Sequence, residues 1–182
     1  MTPGFTLIEL LVVICIVAIT TALVLPRVWQ WQREARIGNL LGTRGAVHSA
    51  AMIVHAAALS RSGSPDAAPC AGGGGTADNR LEGRGSVCTE HGLVRTQHGY
   101  PASVSADESG PPGILGAAGL GTVFGASAQQ LRAEGYAVTV AQGTTAIARA
   151  DAPDPAHCSF TYTEPAAARA AATISPGVVS GC

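Results

Sequence analysis

The sequence is poor in charged and aromatic residues and contains no lysine. Charged residues make up 13% and aromatic residues 4% of the 182 residues, and all 11 basic residues are arginine. Binding to a nucleic-acid backbone needs many clustered cations, whereas this chain has no basic block and a formal net charge of −1. Nucleic acid is therefore not expected as a partner. The 23 glycines and 11 prolines predict a domain rich in turns.

Recognisable motifs for phosphate binding and catalysis are also missing from the sequence. The Gly72–Gly75 run is not followed by the Gly-Lys-Ser/Thr of a phosphate-binding loop. Serine, histidine and aspartate occur, but none lies in a nucleophile elbow. His91 and His98 flank a candidate strand near Glu90, with nothing in the sequence to orient them. We expect neither an enzyme nor a cofactor.

One long apolar run, Phe5–Leu25, dominates the N-terminal part of the chain. Its 21 residues would form a helix of about 31 Å, which matches the hydrocarbon core of a bilayer. A lone strand in lipid could not satisfy its own backbone groups, so the helix is favoured. Pro26 predicts a kink, and Trp29 and Trp31 follow where an interfacial aromatic belt belongs. The sequence thus predicts a membrane-spanning helix over residues 5–26.

An acidic residue, Glu9, interrupts this apolar run. A carboxylate inside a membrane costs about 2.5–3.5 kcal/mol on insertion scales and normally has a function. The surrounding segment, Gly4-Phe5-Thr6-Leu7-Ile8-Glu9-Leu10-Leu11-Val12-Val13-Ile14, resembles the signature of type IV pilins and of type II secretion pseudopilins. The resemblance covers about the first 30 residues.

That resemblance implies processing and assembly. A prepilin peptidase would cut between Gly4 and Phe5, removing a leader of residues 1–4, and the new Phe5 amine would be N-methylated. Pro26 falls where many pilins carry proline. Glu9 would pair with the Phe5 amine of a neighbouring subunit, which neutralises two costly charges together and sets the register of the helices. The implied partners are the peptidase, copies of this chain and other pilins, and an inner-membrane assembly platform.

The expected function is a structural subunit of a type IV pilus-like filament, and three alternatives remain. A type II secretion pseudopilin carries the same N-terminal signature, and a membrane-anchored periplasmic protein of other function would also fit. An ordinary secretory signal could be cut after Thr20-Thr21-Ala22, leaving Leu23 as the first residue. Arg27, Arg33 and Arg36 follow the span and would by charge alone keep the head in the cytoplasm.

Helical spacing continues beyond the span, over residues 27–60. One apolar stripe recurs every three or four residues and should pack on a sheet: Val47, Ala50, Ala51, Val54 and Ala58. Gly38, Gly42 and Gly45 each lower helix propensity by about 1 kcal/mol relative to alanine. They indicate either close helix packing or flexibility inside a filament, or a locally frayed helix. The two histidines of this segment, His48 and His55, are expected to be ordinary helix-surface groups.

The head is expected over residues 61–182, with a loop over 61–90, a sheet over 91–165 and a C-terminal disulfide region over 158–182. The candidate strands are Leu93–Gln97, Tyr136–Gln142, Thr144–Arg149 and Cys158–Thr163. Gln142-Gly143 predicts a tight turn. We expect an α+β fold of the type IV pilin kind, in which a long N-terminal helix, first transmembrane and then amphipathic, lies across one small antiparallel sheet with disulfide-stapled loops.

Five cysteines bear on the compartment of the head. Cys15 lies in the span, which leaves Cys70, Cys88, Cys158 and Cys182 with three possible pairings. We favour Cys70–Cys88 and Cys158–Cys182 because each closes a local loop, worth about 3 kcal/mol in the loop-entropy model. Disulfides persist in oxidising compartments, so the cysteines favour a head in the periplasm or at the cell surface.

A metal site is the rival interpretation of the cysteines. It would combine them with His91 or His157, but the spacings of 18 and 24 residues match no zinc pattern. We therefore expect no metal.

The head carries a second, weaker resemblance through short motifs. His98-Gly99-Tyr100-Pro101, then Cys158-Ser159-Phe160-Thr161-Tyr162 and a terminal Gly181-Cys182, look like the mannose-sensitive haemagglutinin type of pilin. This implies surface adhesion, with a single-pass inner-membrane precursor becoming a cell-surface filament. The plainer interpretation is that Tyr100-Pro101 is a turn and that Tyr162 is a core residue.

Overall fold

The computed structural model describes residues 6–61 and 63–182, except for the side chains of residues 25 and 26. The chain divides into two compact units, the first ending at Arg36 and the second running over Ile37–Cys182. The boundary falls inside the first helix, so this helix contributes residues to both units.

Helix α1 spans Leu7–Arg61 and has 55 residues. Its first part, Leu7–Val24, is long and apolar enough to cross a membrane, and none of it is buried. The predicted apolar helix is therefore present, although length and composition alone do not place it in a bilayer. The helix continues through Pro26, and a bend at that residue stays a prediction.

The apolar stripe predicted on the second half of α1 is confirmed. All five of its members are buried in the head: Val47, Ala50, Ala51, Val54 and Ala58. Leu40 and Thr43 extend the buried face by about two further turns towards the N-terminus. Because these positions repeat every three or four residues, one side of α1 faces the head and the other stays exposed.

The first sheet follows a long loop. It contains β1 (Arg84–Thr89), β2 (Gly92–Gln97) and β3 (Tyr100–Pro101), antiparallel and in that order. His98 and Gly99 join β2 to β3 with φ angles of 49° and 77°. Positive φ at both central residues is the geometry of the two-residue turns that suit twisted strands.

Two short helices separate the sheets along the chain. They are α2 (Ile114–Ala117) and α3 (Ala128–Ala133). The hydroxyl of Ser127 accepts a hydrogen bond from the backbone N–H of Gln130, and Gln130 Oε1 accepts one from the backbone N–H of Ser127. This reciprocal capping box explains where α3 begins.

The second sheet forms the C-terminal part of the head. Its antiparallel order is β4 (Tyr136–Ala141), β5 (Thr144–Arg149), β6 (Ser159–Thr163) and β7 (Thr173–Ile174). A single 3-10 turn, Pro155–His157, lies between β5 and β6.

The turn predicted at Gln142-Gly143 is confirmed. Ala141 pairs with Thr144, and the two turn residues have φ angles of 48° and 71°. Glycine adopts positive φ without penalty, which makes it suited to this position.

The expectation of one small sheet is corrected to two sheets. All four candidate strands are present within one or two residues of the expected bounds, but β1, β3 and β7 were missed. Only Val87 of β1 is fully buried, so this strand has little of the apolar alternation that marks a strand in a sequence. Its formation depends on pairing with β2, and the loop consequently ends before Arg84 rather than at residue 90.

The main core joins α1 to the second sheet and the short helices. Leu40 and Val47 of α1 pack in one buried cluster with Leu131, Ile147 and Phe160. At its edge the Arg149 guanidinium donates a 2.9 Å hydrogen bond to Asn39 Oδ1 of α1. The same guanidinium lies 5.2 Å from the ring centre of Tyr136, a cation–π contact.

Candidate functional site

Glu9, the predicted assembly residue, lies in the first turn of α1. Thr6 precedes the helix, and its hydroxyl accepts a hydrogen bond from the backbone N–H of Glu9 at 3.3 Å. Thr6 therefore acts as the N-cap and Glu9 is the third helical residue, as in the Thr-x-x-Glu capping signature. A carboxylate at this position is also stabilised by the positive end of the helix dipole.

This local role was not predicted, although the three-residue spacing of Thr6 and Glu9 in the sequence matches the capping signature. Glu9 thus has a favourable place within its own helix whether or not a second subunit is present. Its side chain is exposed, so it is also accessible to another molecule.

The apolar surface of α1 is uncovered along the predicted span. Every described side chain over residues 6–24 is exposed, including the large aliphatic ones. The two threonine side chains in its C-terminal half are satisfied locally. Thr20 Oγ1 donates to Ile16 O at 2.9 Å, and Thr21 Oγ1 donates to Val17 O at 2.6 Å. Such bonds let threonine lie in an apolar environment without an unmet hydroxyl.

Two predicted processing residues, Gly4 and Phe5, lie outside the described residues. Cleavage between them, methylation of Phe5 and pairing of Phe5 with Glu9 consequently stay predictions. The alternative signal-cleavage site, Thr20-Thr21-Ala22, lies inside the continuous helix α1.

The outer side of α1 in the head is an open surface built around three glycines. A Cβ added at Gly38, Gly42 or Gly45 would meet no heavy atom within 4 Å among the described residues, apart from the helix's own backbone. The helix is unbroken across these positions, so the frayed-helix interpretation is not favoured. We call this exposed surface the glycine face; it also includes Leu41, Ser49, Met52 and Ile53.

The favoured disulfide pairing is confirmed. Cys70 bonds to Cys88 and Cys158 bonds to Cys182, with Cα separations of 5.3 and 4.8 Å. The first bridge ties the loop after α1 to β1, and the second ties the C-terminus to the start of β6. Cys15, in the apolar part of α1, is a free and exposed thiol.

The rival metal site finds no support in the head. Its four cysteines are consumed by disulfides, while His157 Nδ1 bonds to Asp154 Oδ2 at 2.6 Å and His91 stacks on Phe124. Among residues 6–61 and 63–182, no group of three or more histidine, cysteine, aspartate or glutamate side chains is placed to hold a metal ion.

The two head motifs meet in space. Tyr162, the last residue of the Cys-x-x-x-Tyr segment, donates its hydroxyl to Pro101 O of the Gly-Tyr-Pro segment at 2.6 Å. Tyr162 is fully buried, and burial raises the pKa of its phenol, with the nearby charges of Glu164 and Tyr100 adding to the effect. Tyr162 is therefore a core residue, as the plain interpretation had it. The turn expected at Tyr100-Pro101 was wrong, because these two residues form β3 and the turn lies at His98-Gly99.

One histidine expected on the helix surface has a different environment. His48 is exposed as predicted, whereas His55 is half-buried and its ring stacks on Tyr100 at 3.8 Å between centres. Sequence spacing placed both histidines on one side of α1 but carried no sign of a partner 45 positions away. His55 also lines a cleft in the head.

Comparisons with protein-family models, with curated proteins and with solved structures found no match for this chain.

Proposed function

We propose that this chain is a structural subunit of a type IV pilus-like filament, made as a membrane-anchored prepilin and assembled through α1. The supporting observation is the long helix that combines an uncovered apolar segment, Leu7–Val24, with an acidic residue in its first turn. Such a segment needs either lipid or other apolar helices around it, and a filament core supplies the second when the subunit leaves the membrane.

The proposal assigns each part of the chain a task. Residues 1–4 are a leader removed by a prepilin peptidase, and Glu9 pairs with the methylated Phe5 amine of a neighbour. The glycine face lets a further helix approach α1 closely, since glycine leaves room for a backbone. The two disulfides stabilise a head that resides in the periplasm before assembly and at the cell surface afterwards.

The main test distinguishes a role of Glu9 in filament assembly from its role in capping the N-terminus of α1. Glu9→Gln keeps the shape of the side chain and removes its charge, whereas Thr6→Ala removes the cap and keeps the charge. We expect both variants to reach the membrane, and expect only Glu9→Gln to abolish filaments in sheared surface fractions. Glu34→Gln, which neutralises another exposed carboxylate of the same helix, is the control and should assemble normally.

Two results would count against the assembly role. Normal filament yield from Glu9→Gln would contradict the proposed pairing of the Glu9 carboxylate with the Phe5 amine of a neighbour. Equal losses in Thr6→Ala and Glu9→Gln would show that both residues act through the helix terminus alone.

Mass spectrometry of the mature N-terminus tests the processing step separately. The mature chain should begin at an N-methylated Phe5. A chain beginning at Leu23 would instead establish ordinary signal cleavage. A correctly processed chain that stays out of sheared fractions, and is required for secretion, would identify a secretion pseudopilin.

A further inference from the structure

The head contains an open cleft of about 390 Å³ that the filament proposal does not use. It lies between the C-terminal end of α1, the turn after β2 and the segment before β7. Two histidines line it, His55 and His98, together with the aliphatic side chains of Leu59 and Leu81. Glu82 and Arg169 add one negative and one positive charge.

The hydrogen bonds of the two histidines assign them opposite tautomers. His98 Nδ1 accepts a hydrogen bond from the backbone N–H of Gly83 at 3.1 Å, so neutral His98 carries its proton on Nε2. His55 Nδ1 lies 3.3 Å from Gly99 O, and a carbonyl can only accept, so neutral His55 carries its proton on Nδ1. The cleft is therefore lined by one imidazole with a donor at Nε2 and one with an acceptor there.

Arg169 has a backbone conformation that its side chain does not favour. Its φ of 66° lies in the left-handed region, which is unfavourable for a residue other than glycine. Within residues 6–61 and 63–182, no hydrogen bond or ion pair engages its guanidinium. Arg169 is exposed in the turn that precedes β7 and lines the cleft, so its guanidinium is accessible to a ligand there.

We propose that this cleft binds a small monocarboxylate that also bears hydroxyl groups. The carboxylate pairs with Arg169, since guanidinium and carboxylate form strong charge-assisted bonds. A hydroxyl can donate and accept, so one such group can serve both imidazoles. The carbon skeleton rests on Leu59 and Leu81.

The balance of charges limits the ligand further. Arg169 brings one positive and Glu82 one negative charge to the lining, so Arg169 can balance a single carboxylate, whereas a multiply charged anion such as inorganic phosphate would leave unpaired negative charge near Glu82. A sugar acid and a free hydroxy acid share the required chemistry. The cleft lies wholly in the head, so the proposal stands independently of filament formation.

Binding can be measured by isothermal titration calorimetry on the unassembled full-length chain in detergent. Four probe molecules test the need for the carboxylate and for the hydroxyl groups separately: D-galacturonate, D-galactose, D-glycerate and butyrate. We expect D-galacturonate to bind, with D-galactose (hydroxyls alone) and butyrate (carboxylate alone) at least about tenfold weaker. Binding of D-glycerate as well would identify a general hydroxy-acid site, whereas its failure to bind would identify a sugar-acid site.

Two variants locate the binding in the cleft. Arg169→Gly removes the cation and relieves the backbone strain, so it should weaken D-galacturonate about tenfold or more while leaving the chain at least as stable. His98→Asn keeps an acceptor for Gly83 and tolerates the left-handed turn, but it lacks the Nε2 donor, so it should weaken binding without unfolding the turn.

Arg132→Gln is the matched control, because it removes an exposed arginine of α3 outside the cleft. It should leave the affinity unchanged. The proposal is overturned if none of the acids binds, if D-galactose binds as tightly as D-galacturonate, or if Arg169→Gly binds like the unmodified chain.

Discussion

The hydroxyl of Tyr162 donates a 2.6 Å hydrogen bond to the carbonyl of Pro101, 61 positions earlier in the chain. Tyr162 belongs to β6 of the second sheet and Pro101 to β3 of the first. The bond is buried, so both groups depend on each other for their hydrogen-bonding needs. It ties together two sheets that share no strand pairing.

Removing that hydroxyl should destabilise the head. Tyr162→Phe leaves the Pro101 carbonyl buried without this partner, and we expect a loss of about 1–3 kcal/mol in the free energy of unfolding. Thermal unfolding followed by circular dichroism measures it. Tyr136→Phe is the control, because its hydroxyl makes a longer 3.3 Å contact with Thr43 and is half-buried. A loss no larger than the control's would mean that water readily replaces the Tyr162 bond.

Tyr162 should also make the head sensitive to alkali. Burial above all, then Glu164 and Tyr100, raise the pKa of its phenol above the ordinary value of 10.0. The unfolded phenol loses its proton near that value while the folded one keeps it, so this contribution to stability is complete below about pH 10 and declines as pH rises further. The decline approaches about 1.4 kcal/mol per pH unit. Melting temperatures between about pH 9 and 11 should fall more steeply for the unmodified chain than for Tyr162→Phe; parallel slopes would refute this.

Removing one disulfide should destabilise a larger part of the head than removing the other. Cys158 and Cys182 belong to the main buried cluster, whereas Cys70 and Cys88 belong to a small cluster with Ala77 and Leu93. The loop-entropy model assigns each bridge about 3 kcal/mol. In the double variant Cys158→Ala/Cys182→Ala, amide protection from hydrogen exchange should be lost across the head. In Cys70→Ala/Cys88→Ala it should be lost mainly around the loop before β1. Identical exchange patterns would contradict this.

Two neighbouring leucines of α1 offer a matched comparison. Leu40 is 1% exposed and Leu41 is 47% exposed. Leu40→Ala should cost about 2–5 kcal/mol because it opens a cavity in the main core. Leu41→Ala should cost much less, since its side chain is already half in solvent. Equal losses in thermal unfolding would show that the stripe on α1 does not face the core as described.

The glycine face predicts opposite effects on the subunit and on the filament. Gly42→Ala should stabilise the isolated chain by up to about 1 kcal/mol, because alanine favours the helix and its Cβ has open space. Gly42→Leu should reduce filament yield sharply if another helix packs closely there. Ser49→Ala, a change on the same face that adds no bulk, should assemble normally. Full yield from Gly42→Leu would exclude this face from the assembly interface.

Local sequence signals predicted much of the helix and of the second sheet. The stripe from Val47 to Ala58 was predicted because helical periodicity records which side is buried. The hairpin at Gln142-Gly143 was predicted because its turn residues carry their own conformational preference. The bounds of β1 were not predictable in this way, since an edge strand with one buried residue takes its structure from its neighbour.

The same distinction applies to the candidate functional residues: relationships between near neighbours in the chain could be predicted, and those between distant residues could not. Glu9 could be singled out because a charge within an apolar run is visible in the sequence, and its capping partner Thr6 is only three residues away. The stacking of His55 on Tyr100 could not be predicted, since it joins residues 45 positions apart in the chain. The cleft shared by His55, His98 and Arg169 was missed for the same reason.

The sequence by itself determined the apolar helix, the buried side of its second half and the tight turn at Gln142-Gly143, because each depends on residues within a few positions of one another. The tertiary structure alone decided that there are two sheets, that Tyr162 reaches Pro101, and which side chains line the cleft. These features depend on contacts between distant residues, which become favourable once the core around α1 has brought the segments together.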